Sequence, residues 1–338
     1  MSKMPPIVQV KNLVKIFNGS VRAVDGVSFD VNEGEIFGFL GPNGAGKTTT
    51  ISMLTTLIKP TSGNATVAGH DIVKEANEVR NVIGLVPQDL TVDDDLTGRE
   101  NMILQGDLYR VPKEELFNRV DGLLDLVGLT DAEDRMVKTY SGGMRKRLEL
   151  AEGLVHHPKV LFLDEPTLGL DVQTRAVMWE HILDLKKKHN TTIFLTTHYL
   201  EEADSLCDRI AIIDHGKIVA LDSPRQLKAS LGGDVIEVSV ESEVDSPDSI
   251  TGIPGVIEVQ FSEGKYRIKV TRGEEVTPGV LKMLWDQGVV VKSVNISQPN
   301  LDQVFMEYTG RSLRDAMQSS VQDRGQRMAR AMQARRRR

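Results

Sequence analysis

The sequence predicts an α/β fold with a mostly parallel, buried sheet, followed by a smaller α+β domain. Three observations carry that expectation. Short apolar runs alternate with stretches of helical spacing. One of these runs opens into a glycine-rich octet that leads into a helix. The texture of the chain then changes at Leu231-Gly232-Gly233, after which short strands and single helices succeed one another.

Taken in order, residues 7–33 alternate apolar and polar side chains and read as antiparallel strands, with 7–10 and 27–31 the clearest. Glu35-Ile36-Phe37-Gly38-Phe39-Leu40 is a short apolar run bounded by glycine, as a central strand buried on both faces would be. Residues 49–58 carry helical spacing and stop before Lys59-Pro60. Residues 113–127 place apolar groups at intervals of three and four, which predicts another helix. Ser141 can cap a helix that runs towards His157 and stops at Pro158. Residues 160–163 and 193–195 are two more buried strands, with a helix over 173–188 between them. Beyond the Gly-Gly hinge, strands are expected over 235–240, 256–261, 266–270 and 289–296, with helices around 277–287 and from Leu301. The chain therefore divides into residues 1–231, an accessory domain over 232–310, and an Arg-rich tail over 311–338 expected to lack its own core.

Charge narrows the function. The 338 residues carry a formal net charge of −7. Residues 311–338 hold nine Arg and two Asp, a net +7, so the rest of the chain stands at −14. An acidic body with a basic tail is not a body-wide nucleic-acid binder. One cysteine, Cys207, excludes an internal disulfide framework and a cysteine metal cluster. The opening residues lack the apolar stretch of a secretory signal. Nor does any segment approach the roughly 18 consecutive apolar residues that span a bilayer. The chain is therefore expected to be soluble and cytoplasmic.

Gly41-Pro42-Asn43-Gly44-Ala45-Gly46-Lys47-Thr48 fits G-x-x-x-x-G-K-[ST] in its proper setting, after a buried strand and before a helix. Glycines let the backbone wrap a phosphate and aim its N–H groups inward, and the helix start that follows at Thr49 adds favourable field. Lys47 would reach the β- and γ-phosphates, and the Thr48 hydroxyl would ligate Mg²⁺. Asp164, at the carboxyl end of an apolar strand, would hold the same ion. In open α/β sheets ligands sit beyond the carboxyl ends of strands, so Gly41 and Asp164 can converge on one nucleotide. Strict strand alternation would point Glu165 away from Asp164. A bend at the strand end would direct both at the γ-phosphate and make Glu165 the base that polarises the attacking water.

The ordered set Gly41–Thr48, Gln88, Ser141-Gly142-Gly143, Asp164-Glu165, Asp171 and His198 resembles the nucleotide-binding subunit of ABC transporters over residues 7–230. That resemblance implies a P-loop NTPase core with an antiparallel β subdomain and a helical subdomain. It implies that Gln88 meets Mg²⁺ or the attacking water, and that His198 reads the γ-phosphate. It further implies that Ser141-Gly142-Gly143 contacts the γ-phosphate held by an opposite subunit, that Asp171 helps pair the two protomers, and that Phe17 stacks on adenine. Met144, Tyr140 and Leu168 stand where the family often has Gln, Leu and Ser. The Asp94-Asp95-Leu96-Thr97-Gly98-Arg99-Glu100-Asn101 stretch, an Asp-x-Leu-Thr-Gly-Arg-Glu-Asn pattern, and the Gln298-Pro299-Asn300-Leu301-Asp302-Gln303-Val304-Phe305 segment are similar to the daunorubicin-resistance branch of exporter ATPases. In the family, the region after Gln88 forms the groove for a membrane subunit's coupling helix. The aspartates at 93–95 lack the spacing of a calcium loop. Asn295-Ile296-Ser297 fits a glycosylation pattern by coincidence.

The resemblance implies an ATP- and Mg²⁺-dependent ATPase that acts as a homodimer or paired subunit beneath an integral membrane permease, on the inner face of the cell membrane. Arg335–Arg338 could touch anionic lipid there, or the tail could simply be solvated. The other readings weighed are a soluble ABC-type ATPase acting on ribosomes or nucleic acid, and a non-catalytic nucleotide-binding module. A single phosphate loop with no long coiled-coil insertion speaks against the first. Intact Lys47, Asp164, Glu165 and His198 speak against the second.

Overall fold

The computed structural model describes residues 5–241, 248–262, 264–297, 299–313 and 315–317. By packing, the described residues of Asp222–Ser312 form one unit, and those up to Leu221 form the other together with the few described residues from Leu313.

The first unit runs β1 (Val8–Phe17), β2 (Val21–Val31), β3 (Ile36–Leu40), α1 (Lys47–Leu54), β4 (Ser62–Val67), β5 (His70–Asp71), α2 (Ala76–Val82) and β6 (Ile83–Val86). It continues through α3 (Gly98–Leu108), α4 (Lys113–Leu126), α5 (Gly142–Glu152), β7 (Val160–Asp164), α6 (Val172–His189), β8 (Thr192–Thr197), α7 (Leu200–Leu206), β9 (Arg209–Asp214) and β10 (Lys217–Asp222). Two sheets result. One is four-stranded, in the order β2-β1-β4-β5, with antiparallel pairing throughout. The other is six-stranded, in the order β10-β9-β3-β8-β7-β6, and its strands from β9 to β6 are parallel.

Every residue of β3, β7 and β8 is buried, which is why they read as continuous apolar runs rather than alternating ones. Phe194 on β8 sits among Phe29, Phe37, Phe39 and Phe162 with ring centroids 5.5–5.8 Å away, and this aromatic cluster joins the two sheets in one core. Helices α3, α4 and α5 pack on one another as a helical subdomain. α3 starts on a reciprocal cap: Thr97 Oγ1 accepts from the Glu100 N–H, and Glu100 Oε2 accepts from the Thr97 N–H.

α1 begins two residues before the expected 49, because Lys47 and Thr48 already form its first turn, and it ends at Leu54. Thr56, in the left-handed region at φ 63°, is incompatible with continuation.

The second unit contains α8 (Pro224–Ala229), β11 (Asp234–Val240), α9 (Asp248–Thr251), β12 (Val256–Ser262), β13 (Lys265–Val270), α10 (Gly273–Asp286), β14 (Val291–Ser297) and α11 (Leu301–Thr309). Its antiparallel sheet has the order β12-β13-β11-β14, with a core that includes Ile236, Val238, Tyr266, Ile268, Val280 and Leu284. α10 starts at Gly273, upstream of the expected 277, because Asp234 Oδ2 accepts from the Gly273 N–H at 2.6 Å; Pro278 is accommodated inside it.

The division expected after Leu231 falls instead at Leu221, since α8 packs against α11. Within the segment expected from 311 to lack a core, Leu313 and Ala316 are buried. The Arg-rich segment from 318 lies outside the described residues.

Candidate nucleotide site

Four parallel strands end along one edge of the six-stranded sheet. β3 delivers Gly41, β6 delivers Pro87-Gln88, β7 delivers Asp164-Glu165 and β8 delivers His198. Their register aligns these ends: Leu40 faces Thr197, Thr196 faces Asp164, and Leu163 faces Val86.

The glycine-rich loop fits its position by close approach. A Cβ on Gly41 would lie 2.2 Å from the Ile213 carbonyl oxygen. Gly46, at φ 109°, would bring one within 2.5 Å of the Ala23 oxygen. Lys47 is buried, and its Nζ donates to the carbonyls of Gly41 (2.7 Å) and Pro42 (3.2 Å) and pairs with Glu165 Oε1 at 3.1 Å.

Glu165 stands at φ 51°. That left-handed residue breaks the alternation of β7, so Asp164 and Glu165 point into one site as the bend required. Its N–H donates to both the carbonyl and the hydroxyl of Thr196 at 3.1 Å. The Thr196 hydroxyl in turn donates to Asp164 Oδ1 at 2.5 Å, and Thr48 Oγ1 donates to the same oxygen at 3.3 Å. Glu165 Oε2 lies 3.1 Å from His198 Nδ1.

The two carboxyls are pushed in opposite directions. Burial raises Asp164, against the hydrogen bonds from Thr196 and Thr48, and the neighbouring Glu165 charge adds to the rise. Burial also works on Glu165, but His198 and Lys47 outweigh it and hold that carboxyl below its ordinary value. Glu165 is thus kept anionic at neutral pH. Among the described residues, no group of three or more His, Cys, Asp or Glu could hold a metal alone. Thr48 Oγ1 and Asp164 Oδ1 are hard oxygen donors side by side. They fit Mg²⁺, which takes one or two protein oxygens and completes its shell with phosphate and water.

The structure therefore unites Lys47, Thr48, Asp164, Glu165 and His198 in one network. The other expected site residues are held separately. Gln88 presents an exposed side chain. Ser141 Oγ caps α5 by accepting from the Met144 N–H at 3.2 Å. Gly142 is exposed, and Gly143 packs so tightly that a Cβ would lie 2.3 Å from Thr174 Cγ2. Asp171 caps α6 through the Thr174 N–H (2.9 Å) and hydroxyl (2.7 Å). The Phe17 ring is 38% exposed with Lys15 Nζ above it at 5.1 Å, so it is not a core residue.

Sequence reasoning missed Thr196, the bridge between Asp164 and Glu165. The Thr-Thr pair before His198 was the available signal. It also missed Arg175, whose guanidinium stacks on the Tyr199 ring at 4.1 Å next to His198.

A phosphate loop and a paired acidic strand end, converging at the carboxyl edge of a parallel sheet, define a P-loop nucleoside triphosphatase. Residues 24–168 match the ABC transporter family model, and residues 223–309 match the C-terminal domain of DrrA1-3-like ATP-binding proteins. The chain is 44% identical to the daunorubicin resistance ATP-binding protein DrrA2 of Streptomyces coeruleorubidus, over 86% of this chain and 92% of that protein. It is 37% identical to the linearmycin resistance ATP-binding protein LnrL of Bacillus subtilis (strain 168), over 91% of this chain and 100% of that one. A solved ATP-binding cassette, a dimer in a post-hydrolysis state with ADP and Pi, superposes with a TM-score of 0.58 at 26% identity, covering 64% of this chain and 98% of that one. The chain belongs to the ABC transporter ATP-binding family and is an ATP-hydrolysing enzyme. No described helix is long and apolar enough to cross a membrane.

Proposed function

We propose that this chain is the ATPase subunit of an exporter, that two copies close head to tail over two Mg-ATP, and that closure drives partner membrane subunits. The observation that carries the reading is the buried Lys47–Glu165–His198 arrangement beside Thr48 and Asp164. The drug-resistance relatives support export.

Lys47 neutralises the β- and γ-phosphates. Thr48 and Asp164, with Gln88 from its loop, would hold Mg²⁺, which supplies further neutralisation of the transferring group. Anionic Glu165 accepts a hydrogen bond from water and orients it in line with the γ-phosphorus. As the new P–O bond forms, the attacking water passes its proton to Glu165, the β–γ bridging bond breaks, and that bond's electron pair leaves with ADP. His198 hydrogen-bonds a γ-phosphate oxygen. Phe17 offers its exposed face to adenine, while the N–H groups at Ser141-Gly142-Gly143 and the loop at Asp171 serve the opposite protomer's nucleotide.

Leu90, Leu104, Leu108 and Phe117 are exposed on the loop after β6 and on α3 and α4. Apolar surface of this kind supports a docking face for the membrane partner. The arginines of the tail would meet anionic headgroups from there.

Light scattering tests the reading. The Glu165→Gln chain should dimerise with Mg-ATP, and the Lys47→Ala chain should stay monomeric. The tagged wild-type chain should co-purify with a polytopic membrane protein. A Glu165→Gln chain that remains monomeric at saturating Mg-ATP would refute the closed dimer.

A further inference from the structure

α5 grips the loop that carries Gln88. Lys146, one turn into the helix, donates from Nζ to the carbonyls of Pro87 (3.1 Å) and Gln88 (2.9 Å) and pairs with Glu149 Oε2 at 3.0 Å. The other oxygen of Glu149 accepts from the Thr91 N–H (2.5 Å) and the Thr91 hydroxyl (3.0 Å). The two side chains are 7% and 1% exposed. Three ammonium protons and both carboxylate oxygens are thus spent on each other and on one five-residue span of loop. Desolvated charge-assisted contacts of this kind are strong and directional. Further along the loop, Asn101 holds Asp93, and Arg145 pairs with Asp94 at 3.4 Å.

Gln88 is exposed, so no packed neighbour orients its side chain; where that side chain starts is set by its backbone, whose carbonyl Lys146 holds. The same helix opens with Ser141-Gly142-Gly143. Lys146 and Glu149, at i and i+3, share one face of an eleven-residue helix whose start and middle move together.

We propose that Lys146 and Glu149 are positioning residues for hydrolysis: they transmit the position of the helix start, where the partner protomer's nucleotide is read, to Gln88 in their own protomer's site. The proposal rests on the roles given above to Gln88 and to the start of α5. It makes each protomer's magnesium- and water-facing loop depend on occupancy of the opposite site. The contacts of both residues are to the loop, and both act through its carbonyls and amide.

The test uses the purified full chain with Mg-ATP and four variants: Lys146→Arg, the double variant Lys146→Met/Glu149→Gln, Gln88→Ala, and the combination of the last two. The double variant leaves no unpaired charge buried, which guards the fold. It should lower kcat by about ten- to a hundredfold, the usual cost of a displaced catalytic group, with KM for ATP changed by less than about twofold. Lys146→Arg should retain most of kcat. In the Gln88→Ala background the double change should add almost nothing, since a residue acting through another is not additive with it.

Amide hydrogen exchange supplies a readout apart from turnover. A non-hydrolysable ATP analogue should alter exchange over residues 87–97 in the wild type but not in the double variant, while residues 41–49 still respond in both. Unchanged kcat in the double variant, or a full multiplicative loss on top of Gln88→Ala, overturns the clamp alone. Wild-type kcat in Gln88→Ala overturns the role of Gln88 itself, and the clamp with it.

Discussion

Glu165→Gln should separate two jobs that one carboxylate now holds. In this conformation Glu165 is bound to Lys47 at 3.1 Å and to His198 at 3.1 Å, and all three side chains are buried. At an effective dielectric of about 20, a unit charge pair at that distance has a gross Coulomb energy of about 5 kcal/mol. The net worth of such a charged hydrogen bond is about 1.5–3 kcal/mol, against about 0.5–1.5 kcal/mol for a neutral one. Nucleotide must draw Lys47 from Glu165 to the phosphates and so forfeits the difference. Removing the charge should therefore tighten ATP binding by about 1–2 kcal/mol, or about five- to thirtyfold in Kd. Loss of the base should at the same time lower turnover by about 10²–10⁴. Titration with a fluorescent ATP analogue measures the first effect and single-turnover phosphate release the second. Lys47→Ala added to the variant should erase the affinity gain. Equal or weaker nucleotide binding by Glu165→Gln would refute the competition between Glu165 and phosphate for Lys47.

Two further outcomes follow from single groups. Phe17→Ala should raise KM for ATP and for GTP alike by about five- to a hundredfold, the worth of one aromatic stack on a base, with kcat unchanged and Phe17→Tyr close to wild type; an unaltered KM removes the ring from base binding. Burial, aided by the charge of Glu149, pushes the Glu152 carboxyl up to about 8 from its ordinary 4.5. Between those values the unfolded chain gives up a proton that the folded chain keeps, so stability falls as pH rises through that window. Glu152→Gln should abolish this slope and stabilise the protein by about 3 kcal/mol near pH 7, read as the difference in Tm between pH 5 and pH 8. An identical pH slope in the variant would count against the assignment.

The chemistry of the site was largely legible because its signals are local. The octet ending in Lys47-Thr48 states its own backbone demand, and Asp164-Glu165 sits at the end of an apolar strand. The bend that unites the two carboxyls was expected on chemical grounds, and φ 51° at Glu165 is its realisation. What stayed hidden depends on partners far away in the chain. Lys146 and Glu149 look in sequence like any i,i+3 pair on a solvated face; only burial and the carbonyls of Pro87 and Gln88 reveal their work. α3 was obscured by three aspartates and a glycine, although Thr97 and Glu100 spelled its cap. The Gly232-Gly233 pair does take positive φ, as a hinge would, yet the packing boundary lies earlier, where no glycine marks it. Short elements such as β5 and α7 are fixed by tertiary pairing rather than by local pattern.

Leu313 and Ala316 are both buried and belong with the unit that ends at Leu221. The accessory domain is therefore an insertion, entered and left by the chain, and not an appendage at its end. A stop codon after Gly310 would spare every catalytic side chain and still strip two buried residues from the ATPase unit. Truncations that probe the arginine segment have to begin beyond Met317; a shorter chain would report damage to the enzyme and attribute it to lost lipid contact.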